Sequence, residues 1–404
     1  MKYIVILGDG MADLPIAALG MKTPLQVASK PTVDLLTRLG RTGLLRTVPD
    51  DFLPGSEIAN LSILGYDLTQ VFEGRGSLEA ASIGVPIDTD EMVMRCNLIC
   101  VEDGKIKNHS AGHISNEEAA ELILFLENEL SSESFHFFKG VSYRHIVKLK
   151  QGDKRISCTP PHDVPGVAFQ DVLIRANLPE SQSTADLLNA IIVKSQHLLE
   201  NHPINLRRAA DGKDKANSVW FWSPGYKPAM KTLKELYGFE SGTVISAVDL
   251  IKGIGLYAGL KSINVEGATG LYNTNYEGKA QAAIEALKTD DFVFVHVEAS
   301  DEAGHEGDVE LKIKTIEYLS ERLVKPIYDA INNLNEPVTI AILPDHPTPC
   351  DLRTHTKDAI PFLVYSANGE PDAVVSFDEF SCQLGSFGVL EVGEFITKGL
   401  LLDK

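Results

Sequence analysis

Cysteine is scarce in this sequence and shows no pairing pattern. Cys96, Cys100, Cys158, Cys350 and Cys382 form an odd set without a C-x-x-C spacing, so a disulfide framework and a cysteine-rich zinc site are both excluded and reduced core thiols are expected. Positive charge is also short. With 37 Lys and Arg against 56 Asp and Glu, the formal net charge is -19, which argues against nucleic acid or an acidic membrane as partner, since either needs a broad basic face. A local cationic pocket for a small anion is still compatible with that charge. No stretch approaches the roughly 18 to 20 apolar residues of a membrane span. The first apolar run, YIVIL, stops before Asp9 and lacks the length and small-residue cleavage site of a secretory signal, so it reads as a first β-strand. A cytoplasmic protein is expected. Repeats, heptads and low-complexity tracts are lacking too, which excludes solenoid and coiled-coil architectures.

What is present is a chain of 404 residues, 44% hydrophobic and 23% charged, long enough for about two or three domains with proper cores. Short apolar runs occur at 3–7, 218–222, 243–248, 291–297, 338–343 and 360–365. Amphipathic segments lie between them, and that alternation predicts an α/β fold with a mainly parallel sheet covered by helices on both faces. A helix is predicted over 115–130, where Ser115 and Glu118 form a capping box, and another over 184–200. The stretch from Arg75 to Gly212 mixes strands such as MVMRCNLICVED with helices and polar loops. It reads as a smaller α+β domain of residues 71–212 inserted into a catalytic domain of residues 1–70 and 213–404.

Four segments place metal-binding side chains just after predicted strands, where ligands gather in an open parallel sheet. Asp9, in LGDGMAD, is a glycine-flanked carboxylate; a simple turn aspartate is the bland alternative. Asp301 and His305, in HVEASDEAGHEGD, have a D-x-x-x-H spacing that puts both on one side of a helical turn. Asp345 and His346 close the strand VTIAIL, where packing would favour apolar residues. His355 follows ten residues after Asp345, and a lone histidine is by itself more often structural than a ligand. Oxygen and nitrogen donors without thiolate suit manganese, zinc or magnesium, and two clusters suggest two ions.

Ser56, in LPGSEIANLSILGYD, follows a Pro-Gly turn and heads a predicted helix. There, free N–H groups and the positive end of the dipole favour an anion, which makes Ser56 a candidate nucleophile. The alternative on this segment alone is a helix N-cap.

The motifs GDG, PGSEIANLSILGYD, GRGSLEAASIGV, AVDLIKGIG, GATGLYNTNYEGKA, DEAGHEGD and PDHPTPC followed by RTHT occur in the same order along essentially the whole chain in a known family. The sequence resembles the cofactor-independent phosphoglycerate mutases of the archaeal type, within the alkaline phosphatase superfamily. That resemblance implies two divalent metal ions and no 2,3-bisphosphoglycerate. It assigns Asp301, His305 and His355 to one ion and Asp9, Asp345 and His346 to the other, with Ser56 close to both. It further implies a phosphoserine at Ser56 and interconversion of 2-phosphoglycerate and 3-phosphoglycerate, with the inserted domain closing over the substrate.

Arg75, Arg144, Arg207, Arg208 and Lys252 stand in family-like contexts suited to gripping phosphate and carboxylate. The chain departs from the glycolytic members at NHSAGHIS, where His109 and His113 replace arginines, and at FWSPG, where an arginine before the glycine is missing. These departures leave room for an alternative, a phosphotransferase acting on another hydroxylated metabolite. Foremost is a homoserine kinase in threonine biosynthesis, for which ATP would be the donor to Ser56. A phosphatase or phosphonate hydrolase is a further alternative from the same chemistry. On every reading the partner is a small phosphorylated or hydroxylated metabolite, and the oligomeric state is left open.

Overall fold

The fold is described from a computed structural model covering residues 1–331, 333–334 and 336–402. Its chain divides into one unit of Met1–Phe72 with Ala229–Lys404 and a second of Glu73–Pro228.

The first unit is built on an eight-stranded sheet. Its order is Lys261–Ile263, Gly242–Ile245, Phe292–Val297, Lys2–Gly8, Val338–Leu343, Ile360–Ser366, Arg41–Leu45 and Val389–Leu390. The three strands Lys2–Gly8, Phe292–Val297 and Val338–Leu343 are buried at every position, as befits parallel strands covered on both faces. They run parallel, with Leu7 opposite both His296 and Leu343, so their carboxyl ends lie side by side. Apolar runs that are satisfied throughout leave chemistry only to the residues that follow them.

Two details differ from the sequence expectation. Ile360–Ser366 is antiparallel to Val338–Leu343, a direction that an apolar run cannot encode. Arg41–Leu45 and Val389–Leu390 extend the sheet beyond it, and both are too short and too irregular in pattern to signal a strand.

The loops after the strands are tied together by a buried ion pair. Lys312, on the helix Val309–Tyr318, is fully buried, and its Nζ donates to Ala12 O at 3.0 Å, Asp13 Oδ2 at 2.8 Å and Thr348 O at 2.8 Å. Asp13 Oδ2 also accepts from the Cys350 N–H at 3.1 Å. One ammonium therefore satisfies the loop after the first strand and the loop after Val338–Leu343 together. No two of the described cysteines are bonded to each other, and no helix among the described residues is long and apolar enough to cross a membrane.

The second unit carries an antiparallel sheet around the central strand Glu91–Glu102, which pairs with Lys105–Asn108, Arg144–Lys150 and Ser218–Gly225; Phe135–Val141 continues it. The helices Asn116–Leu130 and Gln182–Leu199 contribute Leu122, Leu126, Leu188 and Ile192 to its core. The strand at 218–222 was expected in the parallel sheet and belongs here instead. Trp220, Phe221 and Trp222 are all buried, so the run has no alternation that would reveal its sheet. For the same reason the second join falls at 228, not at 212. The expected capping box is half formed: Ser115 Oγ accepts from the Glu118 N–H at 3.2 Å, but the Glu118 carboxylate turns to Arg208.

Replacing Lys312 by Met should lower the stability of the protein by roughly 3 to 5 kcal/mol, because Asp13 would be left buried without its counter-charge. Urea unfolding of the metal-free variant measures this, and a change below about 1 kcal/mol would show that the pair is not a stabilising tie.

Candidate active site

Asp9 and the pair Asp345–His346 lie just beyond the carboxyl ends of central strands, Asp301 and His305 lie on the helix that follows a third, and His355 and Ser56 reach the same place from a loop and a helix beside them. Asp9 follows Lys2–Gly8 and its N–H donates to Val297 O at 2.9 Å, which locks it beside the neighbouring strand end. Gly10 has φ +58°, and a Cβ there would lie 2.5 Å from Thr348 Oγ1 and 2.6 Å from Asp301 Oδ1. Glycine is therefore needed for both backbone conformation and close approach. Its N–H donates to Asp345 Oδ1 at 3.1 Å, so Asp9 and Asp345 are held in one cluster by backbone.

Asp345 and His346 are fully buried. Around His346 Nε2 stand Ser56 Oγ at 3.2 Å, Asp345 Oδ2 at 3.5 Å and Asp9 Oδ1 at 3.7 Å. Asn60, one helical turn beyond Ser56, donates through Nδ2 to Ser56 O at 2.8 Å and to Asp345 Oδ2 at 3.0 Å. That bond pins the serine helix to the strand end. The helix runs Ser56–Ile63 with Gly55 as its N-cap; Ser56 is its first residue, not the cap, and its hydroxyl makes no capping bond.

The second group is carried by the helix Ala299–Glu306, which places Asp301 and His305 on one face. His305 Nε2 lies 3.2 Å from Asp301 Oδ2, His355 Nε2 lies 3.3 Å from Asp301 Oδ1, and the two Nε2 atoms face each other at 2.9 Å. The Nδ1 atoms point outward, His305 to Arg353 O at 3.1 Å and His355 to Pro54 O at 3.4 Å. Carbonyls can only accept, so both Nδ1 atoms carry a proton, and both Nε2 atoms turn inward, where a metal ion taking the place of their protons would meet the arrangement of metal-ligating histidines. The rings of His346 and His355 are 3.9 Å apart between centroids, so the two groups share a wall.

The charge balance fits divalent cations. Burial pushes the Asp9 carboxyl well above its ordinary range, and the nearby charges of Asp345, Glu298 and Asp301 add to the effect. Glu298 is pushed up to about 8, again first by burial. Burial would raise Asp301 too, but the hydrogen bonds from His305 and His355 hold it well below the usual carboxylate range. Asp9 Oδ1 is buried without a hydrogen-bond partner. Two sets of donors, Asp9, Asp345 and His346 on one side and Asp301, His346 and His355 on the other, each converge within 4.8 Å. An excess of buried carboxylate with an orphaned oxygen at its centre is the donor set that manganese, zinc or magnesium would neutralise.

Of the remaining candidates, Lys252 lies in the first unit on the helix Asp249–Tyr257, 3.6 Å from Asp249 Oδ1. Its charge is felt by Lys279, whose Nζ donates to His296 O at 2.8 Å. In the second unit, Arg75 and Arg144 cluster electrostatically with Arg95. The Arg95 guanidinium lies over the Trp222 ring at 4.1 Å and its Nε is 3.0 Å from Glu79 Oε2. His109 packs on Tyr143 and on His162, and His113 packs on Tyr143.

Arg208 does not fit the anion-gripping role. Arg208 is 3% exposed and is spent on Glu118, on Asp214 O at 2.8 Å and on Ala111 O at 2.6 Å, so it holds loops together. Arg207 is exposed at the end of the helix Pro203–Ala210. Sequence reasoning missed Arg95, Asn60, Thr348 and His296. Arg95 had a signal, as a lone cation inside an apolar strand.

Strand order, donors at adjacent strand ends and a serine heading a helix beside them together define an α/β chain with the fold of the cofactor-independent phosphoglycerate mutases. The family model described as 2,3-bisphosphoglycerate-independent phosphoglycerate mutase matches residues 37–205. A protein of that description from Methanosarcina acetivorans is 51% identical over 398 residues, covering 98% of each chain. Among solved structures, the PH0037 protein from Pyrococcus horikoshii superposes with a TM-score of 0.84 at 30% identity, covering 99% of this chain and 97% of that one. The cofactor-independent phosphoglycerate mutase from Thermoplasma acidophilum gives 0.70 at 26% identity over the full length of both. The chain belongs to the 2,3-bisphosphoglycerate-independent phosphoglycerate mutase family.

In metal-free protein the hydrogen bond to Asp301 raises His305 to about 9, against about 6.5 when unfolded. The charged pair therefore stabilises the fold fully below about pH 6.5, and the contribution is lost as pH rises through about 9. The melting temperature of chelated protein should fall across that window more steeply than that of His305→Gln. Parallel curves for the two would show that the pair contributes nothing.

Proposed function

We propose that this chain is a cytoplasmic enzyme that interconverts 2-phosphoglycerate and 3-phosphoglycerate through a phosphoserine at Ser56. The observation that carries the reading is the position of Ser56 Oγ, 3.2 Å from His346 Nε2 at the head of a helix and among buried donors with an unsatisfied carboxylate oxygen.

Asp301, His305 and His355 would hold one divalent ion and Asp9, Asp345 and His346 the other, with Ser56 beside them. When bound, such ions neutralise charge on the phosphoryl oxygens and lower the pKa of an adjacent hydroxyl. Ser56 Oγ attacks phosphorus in line, the bond from phosphorus to the substrate oxygen breaks, and the proton lost from Ser56 ends on that oxygen. The neighbouring glycerate hydroxyl then attacks the phosphoserine, and the proton it sheds returns to Ser56. The N–H groups at the start of the Ser56–Ile63 helix favour the phosphoryl anion. Asn60 keeps Ser56 and Asp345 in register through both steps.

Lys252 is proposed as a phosphate-holding cation of the first unit. In the second unit Arg75, Arg95 and Arg144 supply the positive charge suited to a phosphate or carboxylate, with Arg95 stiffened by Trp222. That stacking bears on the absence of an arginine in FWSPG, since Trp222 instead supports Arg95, its partner across the strand pair.

One observation favours a second reading, phosphoryl transfer from ATP to homoserine. Burial, with help from His113, lowers the pKa of His109, so this imidazole is neutral at pH 7 and a weaker carboxylate anchor than a guanidinium. Purified protein with manganese would be offered 3-phosphoglycerate, and separately homoserine with ATP. Turnover of the first alone is expected; phosphohomoserine formation without mutase activity would reverse the assignment. Ser56→Ala should lower turnover by at least about a thousandfold while metal content is kept. Normal turnover in that variant would exclude the phosphoserine.

A further inference from the structure

His296 is fully buried on the strand Phe292–Val297, where an apolar residue would cost nothing. Its Nε2 lies 2.8 Å from Asp9 Oδ2 and its Nδ1 lies 3.2 Å from Ser246 Oγ. Ser246 Oγ already accepts from the Val248 N–H at 3.0 Å. Asp9, Ser246 and His296 come from the ends of three strands that are adjacent in the sheet.

The directions of these bonds follow from the chemistry of the groups. With a cation offsetting its burial Asp9 is a carboxylate, which only accepts, so His296 Nε2 carries the proton and donates to Asp9. Nδ1 is then bare and accepts from the Ser246 hydroxyl, whose oxygen is held by Val248. The chain runs one way, from the Val248 N–H through Ser246 and His296 to Asp9 Oδ2. With Oδ2 spent on His296, Asp9 keeps only Oδ1, and that is the oxygen without a partner, 3.7 Å from His346 Nε2.

We infer that His296 is a positioning residue: with Ser246 it fixes the rotation of Asp9, so that this carboxylate offers a single oxygen to the group that includes Asp345 and His346. The inference deepens the proposed function and rests on that reading's metal site. It competes with another use of the same atoms. Asp9, His296 and Glu298 also converge within 4.8 Å and could hold a further ion, with Glu298 Oε2 3.7 Å from His296 Nε2. A protonated Nε2 has no lone pair to give, so the relay and a third ion exclude each other.

Manganese binding to the chelated full-length protein, followed by calorimetry and by the loss of the free-ion paramagnetic resonance signal, separates these uses. The native chain should bind two ions. In His296→Leu one of them should weaken by roughly 10-fold to 100-fold, the range for loss of an outer-sphere partner. Turnover at limiting manganese should fall in step, recovering at saturating manganese with the KM for 3-phosphoglycerate unchanged. His296→Gln, which retains a donor toward Asp9, should bind nearly as the native chain does. Ser246→Ala should shift affinity in the same direction by less, and it decides the matter if His296→Leu does not fold. Three ions in the native chain with one missing from His296→Gln would overturn the inference and make His296 a ligand. Unchanged affinity in Ser246→Ala together with an unchanged or unfolded His296→Leu would overturn it as well. A native chain that binds no divalent ion overturns both this inference and the metal-dependent reading. A native chain that binds two ions as tightly as His296→Leu overturns this inference alone.

Discussion

The constraint on which the rest depends is the gathering of buried carboxylates at the ends of three adjacent parallel strands. Asp9, Asp301 and Asp345 are each at most 5% exposed, and a desolvated carboxylate without a counter-charge is among the most costly groups a protein can bury. The chain supplies backbone N–H groups, imidazoles and an amide to them, yet leaves Asp9 Oδ1 without a partner. Lys312 shows that an ammonium can be buried here when wanted, and it is directed at Asp13 and not at Asp9, Asp301 or Asp345. The negative charge is therefore reserved, and cations from solution are its natural complement.

The histidines extend the same logic. His305 and His355 direct Nδ1 to backbone carbonyls, and His346 directs Nδ1 to Thr348 Oγ1 at 3.3 Å. All three thus turn Nε2 to the interior. Arg353 has φ +56°, a costly conformation for a side chain of its size, and its carbonyl is the one that meets His305. Thr348 serves twice, since its hydroxyl also meets Asp301. Imidazoles fixed in one tautomer lose little entropy when they take up an ion, so the outer partners contribute to affinity without touching it.

Much of this was legible in the sequence, and for a physical reason. A polar residue directly after a fully apolar strand has few places to go, so Asp9, Asp345 and His346 stood out by position and Asp301 with His305 by spacing, whereas His355 and Ser56 gained weight only in company with them and from the family resemblance; the structure brings the seven together. What pattern could not show was partnership across the chain. Glu118 looked like half of a capping box and pairs with Arg208, 90 residues away; Arg208 looked like a ligand-gripping cation and is consumed by that pair. His296 sat inside an apolar run as a core residue would, and only its neighbours reveal its bonds. The strand Ser218–Gly225 was recognised as a strand and assigned to the wrong sheet, because residues buried on both faces carry no record of what covers them.

Close packing makes the cluster precise. Gly304, within the helix that carries Asp301 and His305, would place a Cβ 2.4 Å from Thr348 O. Gly10 would place one against both Thr348 and Asp301. Thr348 is thus pressed between the segments that carry Asp9 and Asp301, while its carbonyl is held from behind by Lys312. These loops cannot slide past one another without opening this contact, and interiors packed to crystal density resist small displacements strongly. Transfer of a phosphoryl group needs donors held to within about half an ångström. Two glycines, one threonine and one buried ammonium provide that tolerance at a place where electrostatic repulsion among the carboxylates would otherwise drive the loops apart.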